Sequence, residues 1–115
     1  MGHDLDVFER LFNVLEDREK NRPAGSYTTR LLDGGVETIG EKILEEANEL
    51  LRAATASGNM ESGDAPRREL VHEAADLIYH LFVLLAFRRV SLSEVAAELA
   101  RREGTSGLEE KRSRK

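Results

Sequence analysis

The sequence predicts an all-α fold, a helical bundle of four to five helices that a second subunit completes. Apolar residues recur three or four positions apart along much of the chain, which is the spacing of one helix face. Strand-like alternation and hairpin turn sequences do not occur. In the segment 66–89 the apolar positions cover an arc of roughly 180°, wider than one neighbouring helix can bury, which favours completion of the bundle by dimerisation.

The length and the net charge of the chain limit the classes of protein to which it can belong. A chain of 115 residues predicts one domain, with a helical core over about 5–103 and a basic tail over 104–115. The net charge of −5 argues against a nucleic-acid-binding protein, and a chain without cysteine has no disulfides or thiolate metal sites. The first residues lack the pattern of a signal peptide, and no apolar stretch approaches the roughly 18 residues needed to span a membrane. We therefore expect a cytoplasmic protein without nucleic-acid or membrane partners.

The first predicted helix begins with Asp6 as N-cap and ends before Pro23 and Gly25, which break helices. Its apolar stripe indicates core packing and consists of Val7, Phe8, Leu11, Phe12 and Leu15.

A short second helix is predicted between Ser26, a candidate cap, and the pair Gly34 and Gly35, which ends it. Its first residues combine hydroxyl groups with Arg30, a combination that suits a phosphate contact. The same residue types also occur in ordinary connections between helices, so both interpretations stay open.

The segment 36–57 predicts a long helix with two carboxylates beside its apolar face. At about 100° per residue, Glu46 and Glu49 fall next to that face, whereas Glu45 lies further toward solvent. Lys42 precedes Glu46 by four residues and could pair with it or reach a phosphate. A solvated acidic face is the alternative interpretation. The apolar face itself consists of Val36, Ile39, Ile43, Ala47, Leu50 and Ala54.

The segment 66–89 predicts a helix that Asp64 caps and that has Pro66 near its first turn. Its polar residues form a narrow strip that stops at Val83, as expected for a polar site that enters the core. His80 is either a hydrogen-bonded core residue or a contact for a substrate. The strip consists of Glu69, His72, Glu73, Asp76 and His80.

Ser91 and Glu94 form a capping box for a last helix. The apolar face of that helix consists of Leu92, Val95, Ala96 and Leu99.

The acidic residues of the two long helices predict a divalent cation. Burying an unpaired carboxylate costs several kcal/mol, and a bound cation compensates for several carboxylates at once. Oxygen-only ligands select Mg²⁺ or Mn²⁺, which proteins commonly share with substrate phosphates. The carboxylates Glu46, Glu49, Glu73 and Asp76 could hold one ion or two, which points to metal-dependent hydrolysis of a phosphoanhydride.

Two other interpretations compete with this one. Glu69 and His72 match the Glu-x-x-His spacing of di-iron carboxylate bundles, but that design leaves Glu73 and Asp76 without a role. A non-enzymatic helical dimer with a solvated or regulatory acidic surface is the second.

The acidic residues also resemble the motif of a known enzyme group. Glu45, Glu46 and Glu49 form E-E-x-x-E, and Glu73 and Asp76 form E-x-x-D, the signature of the MazG-like all-α nucleoside triphosphate pyrophosphohydrolases. Within that group the chain resembles phosphoribosyl-ATP pyrophosphatase from about residue 7 to residue 112. The segments that carry this closer resemblance are GSYT at 25–28, GEKILEEA at 40–47, ADLIYH at 75–80 and SGLEEK at 106–111.

The resemblance implies Mg²⁺-dependent hydrolysis of phosphoribosyl-ATP to phosphoribosyl-AMP and pyrophosphate, the second step of histidine biosynthesis. It assigns the metal to Glu46, Glu49, Glu73 and Asp76, and gives Glu45 a supporting or water-orienting role in catalysis. It also implies a homodimer, in which helices of both subunits build each bundle.

The remaining implications concern the substrate. A second phosphate on the ribosyl group requires more cationic contacts than a simple nucleotide does. Some relatives are fused to a cyclohydrolase that needs metal-binding cysteines, so a chain without cysteine implies the pyrophosphatase activity alone. Hydrolysis of non-standard nucleoside or deoxynucleoside triphosphates is the alternative activity. The candidate substrate-binding residues are Arg30, Lys42, His80, Lys111 and Arg112.

Overall fold

The computed structural model describes residues 3–57 and 64–104, and over these ranges the chain forms four α-helices and no strands. The helices are α1 (Asp6–Asn21), α2 (Tyr27–Ser57), α3 (Asp64–Phe87) and α4 (Leu92–Arg102). The predicted all-α fold class is therefore confirmed.

The start of α1 differs from the prediction by one residue. Leu5 is the N-cap residue, without a side-chain capping bond, and Asp6 is already helical. The Asp6 N–H donates to the carbonyl oxygen of His3 at 3.0 Å, so a preceding turn leads the chain into the helix. The prediction of Asp6 as N-cap was therefore wrong. At the other end, the Arg22 guanidinium contacts carboxylates of Glu19 and Asp33 at 3.2 and 3.0 Å, which ties α1 to α2.

Helix α2 contains a kink at Gly35, where φ is 73° and ψ is −164°. Only glycine occupies this region of backbone space without strain. The predicted break is thus confirmed, and the two predicted helices are the segments 27–34 and 36–57 of one kinked element. Ser26 caps the first segment as predicted, since its Oγ accepts a hydrogen bond from the Thr29 N–H at 3.3 Å.

Helix α3 ends at Phe87, two residues before the predicted end at Arg89. Arg89 has a left-handed backbone with φ of 60°. Its N–H donates to the Ala86 carbonyl at 3.1 Å, and the Val90 N–H donates to the Leu85 carbonyl at 3.0 Å. These are the two bonds of a Schellman motif, which ends a helix by satisfying its last carbonyls. The predicted cap residue at the start of α3, Asp64, has a side chain outside the described part.

The core lies where α1, α2 and α3 meet, and α3 contacts both of the others. Phe12 and Phe82 pack edge to face, with ring centroids 5.4 Å apart. All three helices contribute to the set of buried apolar residues, which comprises Phe12, Leu15, Leu31, Leu32, Ile39, Phe82, Val83 and Ala86.

Helix α4 has the predicted capping box but packs loosely. The Ser91 Oγ accepts from the Glu94 N–H at 3.1 Å, and the Glu94 carboxylate accepts from the Ser91 N–H at 2.9 Å. No residue of Leu92–Arg102 is buried, and Leu99 is 59% exposed. Leu92 alone among the predicted apolar positions of α4 packs against the core cluster.

A further apolar surface lies between α1 and α3. It forms a groove of about 420 Å³ lined by Val7, Phe8, Leu11, Val71, Ala74, Ala75 and Ile78. The wide apolar arc of α3 is therefore only partly covered within one chain.

Helix α3 is also apolar enough over Ala65–Phe87 to cross a membrane, judged by length and composition alone. The expectation that no apolar stretch approaches this length was therefore wrong for this helix, where Glu73 and Asp76 lie among mostly apolar positions. The core helix of a soluble protein meets the same criterion, and Phe82 and Val83 of α3 belong to the core.

Candidate active site

Three of the predicted carboxylates meet between α2 and α3. Oxygen atoms of Glu46, Glu49 and Glu73 all lie within 4.8 Å of one another. Glu46 and Glu49 are one turn apart on α2, and the packing of α3 against α2 brings Glu73 to the same place. Glu46 is 6% exposed and Glu73 is 8% exposed, so two of the three carboxylates are buried.

The electrostatics of this cluster disfavour negative charge. Burial raises the pKa of Glu46, and the charges of Asp76 and Glu49 raise it further. Burial also raises the pKa of Glu73, to about 7, with contributions from hydrogen bonds to Glu69 and Glu49. The Oε1 atoms of Glu46 and Glu73 are buried and have no hydrogen-bond partner within residues 3–57 and 64–104. These unpartnered oxygens and the all-oxygen donor set suit a hard divalent cation.

Asp76, the fourth predicted ligand, lies beside this group and contacts His72. Its Oδ2 lies 3.3 Å from the His72 Nε2, and within the described residues Asp76 does not join the three converging carboxylates. It follows Glu73 by one turn of α3, and its charge still raises the pKa of Glu46. The structure therefore brings three predicted ligands together and leaves the fourth at the edge.

Lys42 and Glu45 lie at the rim of the cluster. The Lys42 Nζ is 3.1 Å from the Glu45 Oε1 and 3.8 Å from the Glu46 Oε2. The hydrogen bond to Glu45 is the largest cause of a raised pKa of Lys42. Glu45 is exposed, in agreement with its predicted orientation toward solvent. One ammonium group thus accompanies the acidic site.

His80 is 5% exposed, and both of its ring nitrogens are hydrogen bonded. Nδ1 lies 2.8 Å from the Asp76 carbonyl oxygen, and Nε2 lies 2.8 Å from the Tyr27 hydroxyl. Both ring nitrogens thus have partners, and a direct contact between His80 and a substrate stays a prediction. The alternative stated above, a hydrogen-bonded core histidine, describes it.

Tyr27 and Tyr79 lie near the site, and no role for either was predicted from the sequence. The Tyr79 hydroxyl forms a short hydrogen bond with the Thr28 Oγ1, beside the bond between Tyr27 and His80. The sequence offers a weak signal, because hydroxyl side chains cluster at the start of α2. Which α3 residues they meet depends on how the two helices pack.

The predicted cationic contacts are only partly described. Arg30 is exposed, and its guanidinium carbon lies 5.9 Å from the centroid of the Tyr27 ring, within cation–π distance. Lys111 and Arg112 lie outside the described residues.

The two residues of the competing di-iron pattern take part in the same cluster. Glu69 contributes to the raised pKa of Glu73, and the His72 Nε2 lies 3.3 Å from the Asp76 Oδ2. Both therefore support the carboxylates of the E-x-x-D motif.

The comparisons with known proteins agree with this site. A family model described as phosphoribosyl-ATP pyrophosphohydrolase matches residues 8–103. A phosphoribosyl-ATP pyrophosphatase from Rhodopirellula baltica is 54% identical over 99% of this chain and 91% of its own length. One from Novosphingobium aromaticivorans is 47% identical over 95% of this chain and 94% of its own length. The histidine biosynthesis bifunctional protein HisIE from Wolinella succinogenes is 45% identical over 95% of this chain and 44% of its own length. The chain belongs to the phosphoribosyl-ATP pyrophosphohydrolase family.

Proposed function

We propose that this chain hydrolyses the α–β phosphoanhydride of phosphoribosyl-ATP, yielding phosphoribosyl-AMP and pyrophosphate in the second step of histidine biosynthesis. The observation that carries the proposal is the convergence of Glu46, Glu49 and Glu73 within 4.8 Å, in a chain of this family. Carboxylates grouped in this way, two of them buried, need a positively charged partner, and a polyphosphate reaction supplies one as its metal complex.

Mg²⁺ is the proposed cofactor, with Mn²⁺ as a substitute. Glu46, Glu49, Glu73 and Asp76 would hold it. When bound, the ion neutralises polyphosphate charge and polarises the phosphorus that water attacks. Three of these carboxylates already lie within 4.8 Å of one another, so little rearrangement is needed for binding.

The rim residues act on water and phosphate. Glu45 is exposed beside the cluster and can orient the attacking water and accept its proton. Lys42, 3.1 Å from Glu45, can shift its ammonium group to the triphosphate when substrate arrives. Arg30 is exposed near Tyr27 and suits the ribosyl phosphate. Lys111 and Arg112 complete the proposed cationic contacts.

The proposed assembly is a cytoplasmic homodimer without nucleic-acid or membrane partners. The open groove between α1 and α3 supports dimerisation, because an apolar surface of this kind is normally covered. The net charge of −5 supports the absence of a nucleic-acid partner.

The test compares pyrophosphate release from phosphoribosyl-ATP with release from a panel of deoxynucleoside triphosphates. Preferential turnover of phosphoribosyl-ATP is expected. Preferential turnover of a deoxynucleoside triphosphate would support the alternative activity, and no pyrophosphate release from any substrate would favour a non-enzymatic dimer.

A single substitution tests the role of Asp76 despite its contact with His72. Asp76→Asn should lower turnover at least about a hundredfold, on the order of 3 kcal/mol of transition-state stabilisation. Wild-type turnover in this variant would remove Asp76 from the proposed ligand set.

A further inference from the structure

Two adjacent hydrogen bonds join the first turn of α2 to α3 beside the carboxylate site. The Tyr27 hydroxyl bonds to the His80 Nε2 at 2.8 Å, and the Thr28 Oγ1 bonds to the Tyr79 hydroxyl. The pairs 27–80 and 28–79 run in opposite directions along the two helices, so both bonds belong to one antiparallel contact. Of these four residues, His80 also hydrogen bonds to the backbone of the E-x-x-D motif, at the Asp76 carbonyl oxygen.

The partners of His80 define its tautomer. The Asp76 carbonyl oxygen can only accept, so the His80 Nδ1 carries the proton and donates to it. In the neutral imidazole Nε2 is then an acceptor, so we assign the Tyr27 hydroxyl as the donor in the second bond. Burial raises the pKa of Tyr27, so the phenol keeps this proton at neutral pH.

The direction of this bond determines what Tyr27 offers to the site. Its only hydroxyl hydrogen points to His80, so the phenol oxygen has lone pairs alone for any other partner. Lys42, Glu46 and Glu45 are all close enough for their charges to act on this hydroxyl. Tyr27 is also 44% exposed, so solvent and ligands can reach the residue.

The Tyr27 oxygen, as an acceptor, can take only a hydrogen-bond donor or a cation as its further partner. Phosphate oxygens are themselves acceptors, so they do not fit the phenol oxygen. A neutral phenol oxygen is a weaker ligand for Mg²⁺ than the neighbouring carboxylates. A water molecule on the cation is a strong donor, because the metal charge polarises its O–H bonds, and Mg²⁺ in proteins usually keeps several waters.

We propose that Tyr27 and His80 form a positioning pair for the carboxylate site. His80 holds the Tyr27 hydroxyl so that its oxygen accepts a hydrogen bond from a water bound to the cation. The same histidine anchors the Asp76 carbonyl, and with it the turn of α3 that carries Glu73 and Asp76. The inference rests on the proposed function only in requiring that the carboxylates bind a divalent cation.

Mn²⁺ affinity measured without any substrate tests the pair, for example by the electron paramagnetic resonance signal of free Mn²⁺. Tyr27→Phe removes only the hydroxyl and should weaken Mn²⁺ binding about tenfold, the lower end of the effect of outer-shell partners. His80→Leu frees the hydroxyl from its partner and should also weaken binding. The double variant should bind no more weakly than His80→Leu, because the Tyr27 hydroxyl acts on the cation only while His80 holds it.

Tyr79→Phe is the matched control. It breaks the neighbouring bond to Thr28 between the same two helices but leaves the Tyr27 oxygen in place, so Mn²⁺ affinity should stay within about twofold of wild type. Unfolding by urea should show comparable losses of stability for Tyr27→Phe and Tyr79→Phe. If His80→Leu does not fold, the comparison of these two variants still decides the question.

Two results would overturn the inference. Wild-type Mn²⁺ affinity in Tyr27→Phe would do so, and a raised KM in that variant would then place the hydroxyl on the substrate instead. Equal weakening by Tyr79→Phe would reduce the effect to the stability of the helix contact. Failure of the proposed function looks different, because the wild-type protein itself would then bind no Mn²⁺ or release no pyrophosphate.

Discussion

Replacing Glu46 by glutamine should change stability and activity in opposite directions. Glu46 is buried, its Oε1 has no hydrogen-bond partner in the described part of the chain, and Glu49 and Asp76 add negative charge nearby. Glutamine has nearly the same shape but no charge. Without metal, the variant should therefore be more stable than the wild type, and with metal it should lose function.

The size of the effect follows from the environment of the carboxylate. The raised pKa of Glu46 means that folding opposes its charge, because burial and the charges of Asp76 and Glu49 disfavour the ionised form. The contact with Lys42 at 3.8 Å opposes this only weakly, because ion pairs with solvent-accessible lysines contribute about 0–1 kcal/mol. We expect Glu46→Gln to raise the free energy of unfolding by about 1 kcal/mol in EDTA at neutral pH.

Magnesium should reverse this order. At a Mg²⁺ concentration of 100 times its Kd, binding stabilises the wild type by about 2.7 kcal/mol. If the variant binds about a hundredfold more weakly, it gains only about 0.4 kcal/mol at the same concentration. The wild type should then be the more stable protein by roughly 1 kcal/mol, while the variant releases pyrophosphate at least about a hundredfold more slowly.

Urea unfolding with EDTA and with Mg²⁺ measures both stabilities, and a pyrophosphate-release assay measures turnover. Glu41→Gln is a suitable control, because Glu41 is exposed on the same helix and should change stability by less than about 0.5 kcal/mol. A variant less stable than wild type in EDTA would refute the reasoning from burial and repulsion. Equal stabilisation of both proteins by Mg²⁺ would show that Glu46 does not bind the ion.

Three further predictions concern the backbone, pH and a helix cap. Gly35→Ala should lower the free energy of unfolding by about 1–3 kcal/mol because φ is 73° there, whereas Gly40→Ala, with open space around the new methyl group, should raise it by about 0.5–1 kcal/mol. In EDTA, stability should fall as pH rises from about 4.5 to about 7, because folded Glu73 has a pKa of about 7 and binds its proton more tightly than the unfolded chain; Glu73→Gln should flatten this slope in urea titrations at several pH values, leaving the contribution of Glu46, whose pKa is also raised. Ser91→Ala should cost about 1 kcal/mol, measured by urea unfolding, through loss of the capping box of α4.

Local signals in the sequence predicted the helices well where a few residues decide the backbone. The Gly34–Gly35 pair marks the kink of α2, and Ser91 with Glu94 marks the start of α4. These features depend on φ preferences and on hydrogen bonds within one turn, which residue types determine directly.

The end of α3 was harder to predict, because no residue with a strong backbone preference marks it. Arg89 adopts a left-handed backbone that sequence rules assign to glycine or asparagine. Its guanidinium lies 3.6 Å from Glu19 of α1, a contact between distant parts of the chain. Local sequence propensities do not predict tertiary contacts of this kind.

The candidate site likewise combines features that one helix determines with features that depend on how two helices pack. The inward direction of Glu46 and Glu49 follows from helix geometry, but their distance to Glu73 depends on the packing of α2 on α3. Asp76 and His80 illustrate the limit, because the first turns to His72 and the second is fully bonded. Side-chain partners across two helices have no counterpart in the spacing of a single helix.

The kink at Gly35 gives the site a closed geometry. From Tyr27 the path crosses through His80 to α3, passes Glu73, returns to α2 at Glu49, and runs back along the backbone through Gly35. Residues in such a closed ring cannot move independently. A changed backbone angle at Gly35 would therefore alter the distances between the Tyr27 hydroxyl and the carboxylates together. A change of length between residues 27 and 46 would be felt in the same way, since each added residue turns the helix by about 100°. The spacing of the Tyr27 hydroxyl and the carboxylates therefore depends on the whole ring. A change at one point of the ring affects every group that a ligand would contact.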